Sequence, residues 1–252
     1  MQCVILLGGL GTRMRGVSGD LPKALLPVGP RTFIEWQLEW LKRSGVSEAV
    51  LALGYGANLI QLQLEASPVR ENFPRITYSY DGDQAPGTGG AVLQACCKLY
   101  DHFLVTYGDS ILFIDASNLF AYHLDSGSAV TFSIFKNENR FDSSNVEYCD
   151  GRIIAYDKAN RTEAMEYIDY GMFALNKREF VQQSTSRSFD LAEYLSLACA
   201  KAQAVPYVVD ERFYEIGSPA GYGEFCAFME QLGFDLDNVD CSVKYARAGN
   251  DF

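Results

Sequence analysis

An α/β fold, built on a mostly parallel mixed sheet flanked by helices, is predicted by three features of the sequence. Short apolar runs alternate with helix-length amphipathic segments as far as Tyr107. Each run is cut off by glycine or a turn, which implies βαβ units and parallel strands with both faces covered. After residue 128 the apolar runs crowd together without intervening helices, as in an antiparallel or mixed extension of one sheet.

The elements follow in order. Residues 2–7 read as a first strand, leaving into Gly8-Gly9-Leu10-Gly11. A helix over 33–44 sets Phe33, Trp36, Leu38 and Leu41 broadly on one face, and Gly45 stops it. Residues 49–53 form a second strand, 57–66 a helix, 76–80 a third strand, 90–100 a helix and 103–107 a fourth strand. Strands over 129–135, 145–149, 152–156 and 171–175 then precede helices over 189–203 and 219–232. No repeat or linker divides the chain, so residues 1–252 read as one domain, with 233–252 as a loosely held tail. The arrangement is Rossmann-like.

Composition excludes several classes. With 252 residues, 48% of them hydrophobic and 21% charged, the chain can bury one sizeable core. No run is long and apolar enough to span a membrane, and the N-terminus lacks the basic flank of a signal peptide. Seven scattered cysteines without a C-x-x-C pair, and two histidines at no ligand-like spacing, argue against zinc or a disulfide framework and for a reducing cytoplasm. The net charge of −11 argues against binding nucleic acid or an anionic membrane. It also means that a nucleotide ligand would need a local group of cations or a metal.

Such a group follows the first strand. The three glycines let backbone approach phosphate oxygens, and Arg13, Arg15 and, after a turn at Pro22, Lys23 supply positive charge. The segment is not a P-loop, because no Gly-Lys-Ser/Thr closes it. Met14 stands where a dinucleotide fingerprint needs its third glycine, which disfavours an NAD-dependent oxidoreductase. A second glycine loop, Pro86-Gly87-Thr88-Gly89-Gly90, sits between a strand and a helix, and Asp109 lies at the carboxyl end of the fourth strand, the edge where open α/β sheets bind ligands.

Gly8-Gly9-Leu10-Gly11-Thr12-Arg13 followed by Pro22-Lys23-Ala24-Leu25-Leu26-Pro27 resembles the signature of the sugar-1-phosphate nucleotidylyltransferases, and the resemblance runs to about residue 223. It implies the nucleotide-diphospho-sugar transferase type of fold and partners that are an NTP and a sugar 1-phosphate, and it allows a homodimer. By that resemblance Leu7, Gly8, Gly9, Gly11 and Thr12 bind the nucleotide, with Gln84, Gly87 and Thr88 at the base and sugar. Arg13 would hold the triphosphate and the departing pyrophosphate, and Lys23 the reacting phosphates. Tyr107-Gly108-Asp109 resembles the family's metal-binding Gly-Asp, and Glu215-Ile216-Gly217-Ser218-Pro219 its Asp-x-Gly-x-Pro, with glutamate replacing aspartate. Asp109 and Glu215 would thus hold Mg²⁺. Independently of the family, two carboxylates beside a triphosphate repel it unless a divalent cation lies between them.

Asp157-Lys158 resembles the family's Glu-Lys-Pro, implying that Asp157 and Lys158 bind the sugar phosphate, and Gly171 resembles the glycine that admits the sugar. Leu7 and Tyr170 replace alanines and Ala24 a proline. Arg140-Phe141-Asp142 and the run from Gly217 to Tyr222 resemble compact D-glycero-D-manno-heptose 1-phosphate guanylyltransferases ahead of N-acetylmuramate-1-phosphate uridylyltransferases. A non-catalytic nucleotide-sugar-binding regulatory protein is the alternative from another class.

Overall fold

The computed structural model describes residues 1–239 apart from Leu10, Asp83, Gln84 and Thr185. Its elements are β1 (Gln2–Leu7), α1 (Arg15–Ser18), β2 (Pro27–Val28), β3 (Arg31–Thr32), α2 (Phe33–Arg43), β4 (Glu48–Leu53), α3 (Ala57–Ala66) and β5 (Arg75–Tyr80). There follow α4 (Gly87–Ala95), β6 (His102–Tyr107), β7 (Ser110–Ile111), α5 (Ala116–Ser126), β8 (Val130–Lys136), β9 (Val146–Cys149) and β10 (Arg152–Tyr156). The remainder comprises β11 (Tyr167–Asn176), α6 (Lys177–Gln183), α7 (Leu191–Ala200), β12 (Ala204–Val209), β13 (Tyr214–Glu215) and α8 (Pro219–Gln231).

The predicted α/β sheet is present. Nine strands form one mixed sheet along the path β10-β9-β11-β6-β1-β4-β5, with β8 joining β11 to β12. Strands β6, β1, β4 and β5 run parallel, so their carboxyl ends line up along one edge. Strand β11 enters antiparallel beside β6 and carries the sheet into its mixed half.

Alternation along β1 shows how both faces are filled. Cys3, Ile5 and Leu7 join Ile34 and Leu38 of α2, Ile60 and Leu64 of α3 and Leu119 of α5 in one buried cluster. Val4 faces the opposite side, against Val92 of α4, Phe180 of α6 and Leu195 of α7. Helix α2 does not present the single apolar face expected of it. Ile34, Leu38 and Leu41 meet the sheet, whereas Phe33, Trp36 and Trp40 pack under Phe225 and Met229 of α8. A capping box fixes where α2 begins, Glu35 accepting from Thr32 N at 2.7 Å while the Thr32 side chain takes the backbone at Glu35.

From Gly233 to Val239 the chain is held at a few points. Leu236 is 2% exposed within the α2–α8 cluster, and Asp237 pairs with Arg43. Residues 240–252 lie outside the described residues.

Candidate active site

Two cavities open along the carboxyl edge of the parallel strands. The first, of about 250 Å³, is lined by Leu7, Gly8, Gly9, Lys23, Asp81, Gly87 and Thr88 among others. The second, of about 540 Å³, is lined by Arg13, Lys158, Asp169, Gly171 and Glu215 among others. Tyr107 and Asp109 line both, so the cavities adjoin at the end of β6.

The β6–β7 corner is held from three sides. Gly108 N–H donates to Leu6 O at 2.9 Å, and a Cβ on Gly108 would lie 2.7 Å from that same oxygen. From α2, Gln37 Nε2 donates to Tyr107 O at 2.8 Å and Ser110 O at 2.6 Å, clamping both flanks of Asp109. Strand β13 pairs with β7, Glu215 opposite Ser110, and Ile216 N–H donates to Asp109 O at 2.8 Å. This two-strand ribbon brings the two distant acids together. Around the position a Cβ on Gly217 would occupy stand Glu215 Oε2 at 2.9 Å, Asp109 Oδ2 at 3.3 Å and Arg13 Nη2 at 3.6 Å.

Glu215 is longer than the aspartate of the resembling motif, and the chain folds it back. Its carboxylate accepts from Gly217 N–H, Ser218 N–H and the Ser218 hydroxyl at the start of α8. A side chain on Gly221 would collide with Oε1.

Among the described residues no group of three His, Cys, Asp or Glu could hold a metal alone. Two converging carboxylates do fit Mg²⁺, which commonly takes one or two protein carboxylates together with substrate phosphates. Asp109 is ion-paired with Lys23. The implied roles of Lys23 on the phosphates and Asp109 on the metal therefore require the ammonium to turn from that carboxylate.

The first glycine loop wraps Lys23. Gly9 and Gly11 would place a Cβ 3.9 Å from that side chain, and the φ of +60° at Gly11 favours glycine. Thr12 is exposed and, like Gly11, stands outside the residues lining the first cavity. Gln84 lies outside the described residues.

The second glycine loop is the first turn of α4, which begins at Gly87 rather than near residue 90. The N–H groups of Gly89 and Gly90 donate to Phe189 O, at 3.0 and 3.3 Å, and Thr88 Oγ1 donates to Asp190 Oδ1 at 3.0 Å. These glycines admit the 187–189 segment against α4, while Gly87 and Thr88 still border the cavity.

Lys158 reaches the second cavity, but Asp157 does not line it. Asp157 accepts from Ala159 N at 2.7 Å and Asn160 N at 2.8 Å and closes its own turn. Gly171 sits in a bulge of β11 with φ +94°, where Thr106 Oγ1 holds its carbonyl at 3.0 Å. Tyr170, 1% exposed, turns its ring to Phe135 and Phe213.

Two acids escaped sequence reading. Asp81 follows β5 as Asp109 follows β6, and its carboxylate abuts Gly8 and Gly54 where neither has space for a Cβ. Among the described residues nothing hydrogen-bonds that carboxylate, and burial pushes its pKa above the ordinary range. Asp169, a lone charge within apolar β11, accepts from Tyr156 OH at 2.7 Å and pairs with Lys158 at 2.8 Å. An acid at a parallel strand's end, and a charge inside a strand, were the legible signals.

The parallel sheet edge, the glycine loop with its cations and the paired acids define a phosphate-handling α/β protein, and comparison supplies the class. Residues 2–231 match the nucleotidyl transferase family, and the chain belongs to it. It is 29% identical over 226 residues to the D-glycero-alpha-D-manno-heptose 1-phosphate guanylyltransferase of Campylobacter jejuni, covering 89% of this chain and 98% of that one. A probable glucose-1-phosphate cytidylyltransferase of Bacillus subtilis is 31% identical over 199 residues, 71% of this chain and 76% of its own. The crystal structure of HddC from Yersinia pseudotuberculosis complexed with GMP-PN has a TM-score of 0.73 at 26% identity, across 90% of this chain and 99% of that chain.

Proposed function

We propose that this chain transfers a nucleoside monophosphate from an NTP, GTP in particular, to a sugar 1-phosphate such as a heptose 1-phosphate, releasing pyrophosphate. The observation that carries the reading is the meeting of the two cavities at Tyr107 and Asp109, with Lys23, Arg13 and Lys158 around the junction. An NTP in the first cavity and a sugar phosphate in the second would bring the α-phosphorus within reach of an acceptor oxygen.

An acceptor phosphate oxygen attacks the α-phosphorus, and the bond to the bridging oxygen of the β-phosphate breaks as pyrophosphate leaves. The nucleophile is already an anion, so no side chain must take its proton. What the protein supplies is alignment of two repelling anions and compensation of charge. Arg13 and Lys23 face the phosphates, and Lys158 orients the acceptor. Mg²⁺ held by Asp109 and Glu215 would add neutralising charge at the phosphates.

Asp81 favours guanine. A carboxylate that no described residue hydrogen-bonds matches adjacent N–H donors such as N1–H and the 2-amino group of guanine. Uracil offers a single N–H flanked by two carbonyl oxygens, which a carboxylate repels, and this weighs against the uridylyltransferase alternative. The adjoining second cavity weighs against a regulatory protein that only binds. Among the described residues no helix is long and apolar enough to cross a membrane, which is compatible with a cytoplasmic enzyme.

A pyrophosphate-release assay of four NTPs against a panel of sugar 1-phosphates, with and without Mg²⁺, tests the reading. GTP-dependent release that requires Mg²⁺ supports it. Binding of nucleotide with no release from any pair would leave only the regulatory alternative.

A further inference from the structure

The resemblance pairs Lys158 with Asp157 as the acceptor's ligands, yet in the structure the acid beside Lys158 is Asp169. Asp157 spends its carboxylate on the 159–160 turn, where Asn160 Nδ2 adds a third contact at 3.1 Å. Across the cavity wall Asp169 projects from β11 with its side chain 4% exposed, and Asn145 Oδ1 fixes the backbone there by accepting from Asp169 N–H at 2.8 Å. Asp169 Oδ2 takes Tyr156 OH and the Lys158 ammonium. Among the described residues both partners of the carboxylate meet Oδ2 and none hydrogen-bonds Oδ1, and Asp169 lines the cavity.

Lys158 is constrained from two sides. Its ammonium pairs with Asp169 at 2.8 Å and donates to Tyr107 OH at 3.3 Å, standing 4.9 Å from the centroid of the Tyr107 ring. An ammonium has three donors, so one is left for a phosphate oxygen. Burial works against its charge, but Asp169 first and then Tyr107 outweigh it and hold Lys158 above the ordinary lysine range. Solvent still reaches the side chain, which is 42% exposed.

We propose that Asp169, in place of Asp157, is the acid of the acceptor site: Oδ2 positions Lys158 for the acceptor phosphate, and Oδ1 accepts a hydrogen bond from a hydroxyl of the acceptor sugar. This rests on reading the second cavity as the acceptor site. A carboxylate on a buried strand is better fixed than one on an exposed turn, so it can discriminate one hydroxyl arrangement from another. The acceptor class it selects is a polyhydroxylated sugar phosphate with a free hydroxyl directed at β11.

The test compares Asp169→Asn with Asp157→Asn in steady-state kinetics of the full chain. Asp169→Asn should raise the acceptor KM about tenfold or more while the KM for the NTP stays within about twofold, as expected when a hydrogen bond to a charged group is lost from one substrate only. Asp157→Asn should move the acceptor KM less than about threefold, since substitutions away from binding features have small effects. A large rise with Asp157→Asn and none with Asp169→Asn overturns the proposal, as does an equal rise in both substrates' KM for Asp169→Asn.

A second readout needs no turnover. Acylation of Lys158 by an amine reagent near pH 8, followed by mass spectrometry, should speed up in Asp169→Asn by about tenfold for each unit that its pKa falls. An unchanged rate overturns the positioning role. If Asp169→Asn does not fold, the wild type decides. Lys158 should acylate several-fold more slowly than Lys201, which among the described residues has Gln183 Oε1 beside it at 3.2 Å, and equal rates overturn the proposal. Absence of pyrophosphate release by the wild type with every pair defeats the proposed reaction instead, and the acylation result then stands alone.

Discussion

Asp81→Asn separates base recognition from chemistry. The Asp81 carboxylate abuts Gly8 and Gly54 in the first cavity, and asparagine matches it in size, so the substitution should leave the phosphates' ligands in place. If it accepts N1–H and the 2-amino group of guanine, each is a hydrogen bond to a charged acceptor, worth about 1.5–3 kcal/mol. Asparagine keeps one acceptor and turns the other into a donor, so roughly one bond is lost and one repulsion gained. The expected loss is about 2–4 kcal/mol in kcat/KM for GTP, or roughly 30- to 1,000-fold, with acceptor KM unchanged. Inosine triphosphate sharpens the assay because it keeps N1–H and lacks the 2-amino group. The wild type should favour GTP over it by about tenfold or more, and Asp81→Asn should reduce that ratio toward one. Discrimination that persists in the variant would refute the assignment, as would a wild type preferring UTP or CTP.

Three further outcomes follow from the geometry. Asp109→Asn should lower kcat by about 10²–10³ with the circular dichroism spectrum unchanged, and retained Mg²⁺-dependent turnover would remove Asp109 from the metal site. Gly89→Ala would drive a methyl into the Phe189 ring, and overpacking of about 1–3 kcal/mol should lower Tm by roughly 3–10 °C; an unaltered Tm would show that the 187–189 segment yields. His123, 0% exposed, accepts or donates to His102 and Thr131 at 3.0 Å each, and burial, then His102, lowers its pKa from 6.5 to about 4. Between those values the unfolded chain binds the extra proton, so this stability is present above about 6.5 and lost as the pH falls through about 4, by roughly 3–4 kcal/mol in all. Chemical denaturation across that window should therefore show a flatter pH dependence in His123→Gln, and identical slopes would count against a neutral buried imidazole.

The parallel half of the fold was legible because strands β1, β4, β5 and β6 are uninterrupted apolar runs bounded by glycine or polar turns. Strand β12 was not, because Pro206 lies inside it. The structure places it at the sheet's edge, paired among the described residues with β8 alone, where proline is tolerated. Helix α5 was missed as well: only Ala116, Leu119 and His123 of its residues are buried, so its periodicity is thin, although Asp115 caps one end and Gly127 closes the other. At the site, Arg13, Lys23, Asp109 and Lys158 could be read from motif and charge. Asp81 and Asp169 gain their meaning from what faces them across the sheet, which spacing along the chain does not encode. The two-residue pairing of β7 with β13 is too short to carry any periodic signal.

That small ribbon has a consequence for the order in which the enzyme matures. The glycine loop, Lys23 and Asp109 are synthesised well before Glu215, which arrives only when the chain has nearly reached α8. A growing polypeptide can therefore gather phosphate-binding groups before it owns its second carboxylate. Closing the ribbon joins segments remote along the chain, a step whose entropic cost favours a late place in folding. If Asp109 and Glu215 hold the metal as proposed, catalytic competence waits for the segment that carries Glu215, and a chain ending before that residue would gather phosphate-binding groups without turning substrate over.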